Sequence, residues 1–259
     1  MIKIKPFRLI ADDLDQDNYN FFREQYHDRI YEIFPFIEPL GFQSLSRIDY
    51  KIDYKTENIE QYFKLYRKLH KNYRHLAQKK EYPTSIYFNS KSQNINFYDK
   101  LEQYLQYCKD NNIIPDDSKI AEYENILRYE VQILRPKIRY MKNYYGLIDC
   151  LENYIHSSDK ARYLSEVSSP IFYKGDYYNI YHSKKIIQEY YTKSMTNDLL
   201  ELQKSISLYG VQDAKKDYKY TSNTFNQHIK KLEQVGVNPI LIPKNFEITY
   251  LHNPLHIAA

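Results

Sequence analysis

The chain has 259 residues, 42% hydrophobic and 27% charged, with a formal net charge of +4. That is the composition of an ordinary soluble globular protein, long enough for one large domain or a domain with an appendage. The charge is too small to indicate a nucleic-acid partner by itself. No apolar run approaches the roughly 18 residues of a membrane span, which excludes that class and a membrane partner.

The start turns acidic at once, at Asp12, Asp13 and Asp15. It reads as neither a signal nor a transit peptide, so a cytoplasmic protein is expected. Cys108 and Cys150 lie in unrelated contexts without CxxC or Cys/His ligand spacing; a pair of reduced, partly buried thiols is expected. Thirty tyrosines, five glycines and no tryptophan are explained as well by a bias toward AT-rich codons as by function.

In chain order, Asp17 to Phe36 has helical spacing (Tyr19, Phe22, Tyr26, Ile30, Ile33), ending near Pro35 and Pro39. Ser44 to Tyr54 switches to strict alternation, the mark of a strand with one buried face. Helical spacing returns from Thr56 to Gln78, with Asn58 as a cap candidate. Ser85 to Asn89 and Asn94 to Tyr98 read as a hairpin around the polar turn Ser90 to Gln93. A helix is expected from Lys100 to Asp110, then an acidic loop to Asp117 and a third strand within Glu122 to Leu134. A helix after Pro136 runs toward Tyr154, and His156 to Thr196 carries only a weak pattern. From Asn197 the pattern is helical to Gly210; a further helix, Asn223 to Val235, is closed by Gly236, and Ile240 to Ile242 is β-like. The last helix pair has the look of a helix-turn-helix or winged-helix unit. The order predicts an α+β fold with an antiparallel sheet and flanking helices. The expected division is 1–155 and 156–259.

Cations are distributed in blocks. Lys64 to Lys80 carries seven Lys and Arg, two His and no acid, and Arg135 to Lys142 carries four more cations, again with no acid. Such stripes suit phosphate contacts, and a solvated helix face would have the same composition. Lys64, Arg67, Lys68, Lys71, Arg74, Arg135 and Arg139 are the candidates. On the last helix, Asn226, Gln227, His228, Lys230 and Lys231 are candidate recognition residues; a capping helix with ordinary polar residues is the alternative.

Alternation also places Arg47, Asp49, Lys51 and Asp53 on one face of the first strand, and Arg128, Glu130 and Gln132 on one face of the third. The hairpin ends at Asp99 and Lys100, with Glu102 close behind. If the strands are neighbours, oxygen ligands of this type suit Mg²⁺ or Mn²⁺. Mixed charge on a solvent-facing sheet, of little energetic worth, is the other reading.

Three segments then stand out: LSRIDYKIDY (45–54), SQNINFYDKLEQY (92–104) and ILRYEVQILRPKIRYMKNYYGL (126–147). They resemble, in order, landmarks of filamentous-phage gene II/X-type replication proteins: an S-R-I-D strand, a Y-D-K segment ending in glutamate, and an L-R-F/Y-E strand. NTFNQHIKKLEQVGV (223–237) is similar to the helix that closes such proteins, and plasmid rolling-circle initiators are a more distant likeness. The resemblance covers roughly residues 40–150. It implies a replication-initiator or relaxase-like fold and a site-specific, metal-dependent endonuclease that nicks and rejoins DNA through a tyrosine. Carried onto this chain, it makes Asp49 and Glu130 the first metal ligands for Mg²⁺ or Mn²⁺, supported by Asp53, Asp99 and Glu102. Arg47, Arg128 and Lys100 would contact the scissile phosphate or orient the carboxylates. Phage or plasmid origin DNA, single-stranded or supercoiled, is the implied partner, with host helicase and polymerase. The His-hydrophobe-His pair of many rolling-circle initiators is absent, so carboxylates would have to hold the metal. The alternatives are a non-catalytic DNA-binding replication factor and a metal-dependent nuclease that hydrolyses with water.

A nicking-joining reaction keeps the energy of the broken phosphodiester as a phosphotyrosine. Tyr140 and Tyr144, four apart on one helix face among Arg139 and Lys142, are the candidate nucleophiles. Tyr145 and Tyr154 are the fallbacks. Aromatic packing on an amphipathic helix would give the same spacing.

Overall fold

The computed structural model describes residues 14–68, 78–146, 148–168, 172–216 and 221–255. It is an α+β fold with a five-stranded antiparallel sheet and flanking helices, as the element order predicts. The strands are β1 (Arg47–Lys55), β2 (Gln78–Tyr82), β3 (Ser85–Asn89), β4 (Gln93–Asp99) and β5 (Ile126–Leu134), in the order β1-β5-β4-β3-β2. The helices are α1 (Tyr19–Ile33), α2 (Ile59–Tyr66), α3 (Lys100–Asp110), α4 (Asp117–Tyr123), α5 (Arg135–Tyr145), α6 (Ser157–Ser168), α7 (Ile180–Tyr190), α8 (Lys193–Tyr209), α9 (Val211–Lys216) and α10 (Ser222–Gln234). Tyr177–Tyr178 (β6) and Tyr250–Leu251 (β7) form a separate antiparallel pair.

Local signals account for most element ends. Asp99 caps α3, its side chain accepting from the amides of Leu101 and Glu102, and Asp116 caps α4 through Ser118 and Lys119. Pro136 occupies the first turn of α5, which closes on Gly146 in the left-handed conformation. Two expectations change. The helix expected over 56–78 covers only Ile59–Tyr66 within the described residues, and the chain is a strand by Gln78. Successive cations at Lys64, Arg67 and Lys68 repel on a helix face, and the Arg67 guanidinium bonds instead to the carbonyls of Tyr82 and Pro83. The helix expected to run from Pro136 toward Tyr154 ends at Tyr145, while α4 follows the expected acidic loop and the third strand, Ile126–Leu134, lies within its expected range.

The chain forms two compact units: Met1–Tyr50, Ser90–Asn94 and Val131–Leu164 make one, Lys51–Asn89, Ile95–Glu130 and Ser165–Ala259 the other. The units interleave in sequence, so that β1, β4 and β5 each contribute residues to both. In the first, Tyr19, Phe22 and Tyr26 of α1 pack with Leu40 and Ile155. Elsewhere in this unit, α5 buries Ile138 and Met141, and the Tyr163 hydroxyl donates to the Met141 sulfur at 3.0 Å. Asp149 is buried and binds Arg135 at 2.6 Å and Lys142 at 3.0 Å, while Arg135 also donates to the Leu45 carbonyl.

The second unit has an aromatic core in which Phe97 lies 4.6 Å from Tyr129, 4.8 Å from Phe172 and 4.9 Å from Tyr66, ring centre to ring centre. Two Asn-Pro-aliphatic segments, 238–240 and 253–255, hold one stretch of backbone there. The amides of Asn238 and Asn253 both donate to the carbonyls of Tyr173 and Gly175, at 3.0–3.2 Å. Their carbonyl oxygens accept from Ile240 and Leu255, each at 3.1 Å. Gly175 has φ +88°, and a Cβ built there would lie 2.6 Å from the Val237 carbonyl carbon. Only glycine fits the gripped segment. Cys108 and Cys150 are free and buried.

Candidate functional site

Strand alternation in the second unit puts Leu127 and Tyr129 into the core and turns Arg128 and Glu130 to the opposite face. Arg128 forks onto Asp53 of β1, with Nε to Oδ1 at 2.5 Å and Nη2 to Oδ2 at 2.7 Å. Lys51 Nζ lies 3.9 Å from the same carboxylate. Glu130 accepts from the Tyr98 hydroxyl at 2.9 Å and from the Asn96 amide at 3.3 Å, and both donors are buried. Lys100, the first residue of α3, donates to Gln103 at 3.0 Å and lies 4.8 Å from the centre of the Tyr123 ring.

These neighbours set the charges. Burial would raise the Asp53 carboxyl, but the hydrogen bonds and charge of Arg128 outweigh it and hold the group below the usual carboxylate range. Burial and then the Arg128 charge push Lys100 down to about 8, against a smaller pull from Asp53 and Glu130. Burial, and then the Glu130 charge, raise the Tyr98 phenol, which serves as a hydrogen-bond donor and not as a nucleophile. The cluster is a half-buried face of fixed charge in which one lysine titrates near neutral pH. Groups of this kind mark functional surfaces more often than ordinary ones.

Asp53, Arg128, Glu130 and Lys100 therefore come together, as the strand faces predicted. Asn96 and Tyr98 were missed, although the alternation Asn94-Ile95-Asn96-Phe97-Tyr98 placed them on the polar face. The expected metal ligands do not gather into a resident site. Asp49, in the first unit, is gripped by Arg47 through both carboxylate oxygens. Asp53 is neutralised by Arg128, and Asp99 is engaged in capping α3. Glu102 is exposed. Among the described residues no group of three or more His, Cys, Asp or Glu side chains could hold a metal ion. As arranged, this donor set does not fit a preformed Mg²⁺ or Mn²⁺ site.

In the first unit, Tyr140 and Tyr144 lie on the exposed side of α5 with their rings 5.3 Å apart and 13° from parallel. Tyr154 is fully buried, and burial pushes its phenol up to about 12, which removes it as a nucleophile. The Tyr145 side chain lies outside the described ones. Arg135 is turned inward onto Asp149 and Leu45, while Arg139 is exposed.

Of the first basic stripe, Lys64 pairs with Glu60 at 2.6 Å, Arg67 binds two carbonyls, and Lys68 donates to the Ser207 carbonyl at 2.6 Å. These contacts give the stripe a structural role beside any contact with phosphate. Lys71 and Arg74 lie outside the described residues. On α10, Lys230 is exposed and Lys231 sits 5.1 Å from the Tyr191 ring centre. His228 is buried with Phe225, Ile229 and Leu232, and so is not available as a recognition residue.

Among the described residues no helix is long and apolar enough to cross a membrane. Comparison of the chain with protein-family models, with curated proteins and with solved structures gives no match.

Proposed function

We propose that this protein initiates rolling-circle replication by nicking and rejoining phage or plasmid origin DNA through a tyrosine phosphodiester. The observation that carries the reading is the strand order. Asp53 in the first of the segments that resemble replication-initiator landmarks and Arg128 in the third are 75 residues apart in sequence, and the strands of the three segments, β1, β5 and β4, are consecutive neighbours in the sheet. Landmarks so far apart in sequence would need this kind of convergence to build one surface.

In the reaction, a phenol oxygen of Tyr140 or Tyr144 attacks phosphorus. The P–O3′ bond breaks, the 5′ phosphate stays on the tyrosine, and the released O3′ takes up a proton while the phenol loses one. Attack by the freed 3′ hydroxyl reverses the step and rejoins the strand. Arg128 and Lys100 bind backbone phosphates of the DNA, with the lysine effective in its protonated form. The fold is replication-initiator or relaxase-like in this reading. Helices α8, α9 and α10 form a helix-turn-helix-like unit, with Lys230 and Lys231 on duplex phosphate. Host helicase and polymerase then act on the exposed 3′ end. Mg²⁺ or Mn²⁺ belongs to the proposal as an ion that arrives with the DNA, since protein-bound Mg²⁺ takes many of its ligands from substrate phosphates and water.

The second reading is a non-catalytic DNA-binding replication factor. It is favoured by the pairing of Asp49 and Asp53 with arginines in place of a metal site. Incubation with single-stranded origin DNA, with and without Mn²⁺, followed by a denaturing gel, separates the two. A covalent band that is lost in Tyr140→Phe or Tyr144→Phe is expected. DNA binding with no adduct under several metals would leave the second reading, and free 5′ phosphate ends without adduct would identify a hydrolytic nuclease.

A further inference from the structure

We propose that the exposed face of α5 is a stacking platform for unpaired nucleic-acid bases. Two rings and two cations form it. Tyr140 is 47% and Tyr144 69% exposed, and their planes lie 13° apart at a centre separation of 5.3 Å. The Lys137 ammonium stands 5.1 Å from the Tyr140 ring centre, and Arg139 is exposed beside it. No acid occurs between Arg135 and Tyr145.

The opposite side of the helix explains why the platform is rigid. Ile138 and Met141 are fully buried, Tyr163 bonds to the Met141 sulfur, and Asp149 holds both Arg135 and Lys142. The backbone that carries the two rings is therefore fixed at successive turns, and little ordering remains to be done on binding. An aromatic pair already near parallel offers an outer π-face on which a base can continue the stack. Every base has such a face, so the surface tolerates sequence, and the neighbouring cations meet the phosphates. A duplex keeps its bases stacked internally and offers no faces along its length. The ligand that fits is single-stranded.

This inference goes beyond the cleavage chemistry, because stacking uses the rings and not the hydroxyls. The test is therefore made in EDTA, with the full-length protein and a short oligothymidylate carrying one 2-aminopurine, whose fluorescence is quenched on stacking. Quenching and binding are expected for the wild type and, within about threefold, for Tyr140→Phe/Tyr144→Phe. Each alanine substitution should weaken binding about tenfold, and Lys137→Gln should weaken it less and make it less salt-dependent. A matched duplex should bind more weakly and be indifferent to the alanine changes. An oligouridylate arm shows whether RNA shares the platform. Wild-type-like binding by the double alanine variant, or an equal loss in the double phenylalanine variant, would overturn the proposal. An adduct without quenching defeats only the platform; quenching without an adduct defeats only the nicking reaction.

Discussion

In the first unit a single carboxylate, Asp149, ties the base of α5 to the loop at Leu45 through Arg135 and Lys142. In the second, two amides, Asn238 and Asn253, grip the Tyr173 and Gly175 carbonyls. Both arrangements satisfy polar groups that burial would otherwise leave costly. They differ in what they respond to. An amide does not titrate, and its bonds hold across the accessible pH range. The charged anchor is pH-sensitive. Asp149 is held below the usual carboxylate range: burial opposes this, and the hydrogen bonds from Lys142 and Arg135 outweigh it. Its contribution is present in full above the unfolded value of about 3.9 and is lost as pH falls through its folded value. The Asp149 anchor should therefore loosen in acid under conditions in which the amide grip on Tyr173 and Gly175 persists.

Four measurements sharpen or break this contrast. The largest effect is expected for Gly175→Ala, which combines a left-handed backbone with a Cβ 2.6 Å from a carbonyl carbon. A loss of about 4 kcal/mol in denaturant unfolding is predicted; an unchanged midpoint would show that the gripped segment can move. Asn238→Ala and Asn253→Ala should each cost about 2–3 kcal/mol, with the difference from wild type constant between neutral and mildly acidic pH. A pH-dependent difference would undo the distinction between the anchors.

Asp149→Asn should cost about 2 kcal/mol at neutral pH, moderated by the water still reaching Arg135 and Lys142, and the deficit should shrink toward zero in acid. A deficit that persists at low pH would assign the loss to packing instead of charge. The smallest stability effect belongs to Lys100→Met. Lys100 titrates at about 8, below its unfolded range, so protonation is disfavoured by the fold and stability rises as pH climbs through that interval. Replacement should leave stability at neutral pH unchanged or slightly raised. In the wild type, DNA affinity should fall as pH passes through about 8, and this step should vanish in the variant. A stability loss in Lys100→Met would make the lysine part of the scaffold.

The sequence by itself determined what depends on near neighbours along the chain. Period-two alternation predicts β1, β4 and β5 and the face on which Asp53, Arg128 and Glu130 lie, and helical spacing predicts α1, α3, α5 and α10. The Asp99 cap and the stop of α5 at Gly146 are local too, but the sequence reading assigns Asp99 to a metal and carries the helix toward Tyr154. The tertiary structure alone decided which strands adjoin, and hence that Arg128 meets Asp53 across 75 residues. It also decided that Arg135 faces Asp149 and not solvent, that α2 stops at Tyr66, and that the carboxylates have cations and amides as partners. Those outcomes depend on contacts between distant segments and on the cost of leaving a buried charge or amide unpaired, and no local pattern records them.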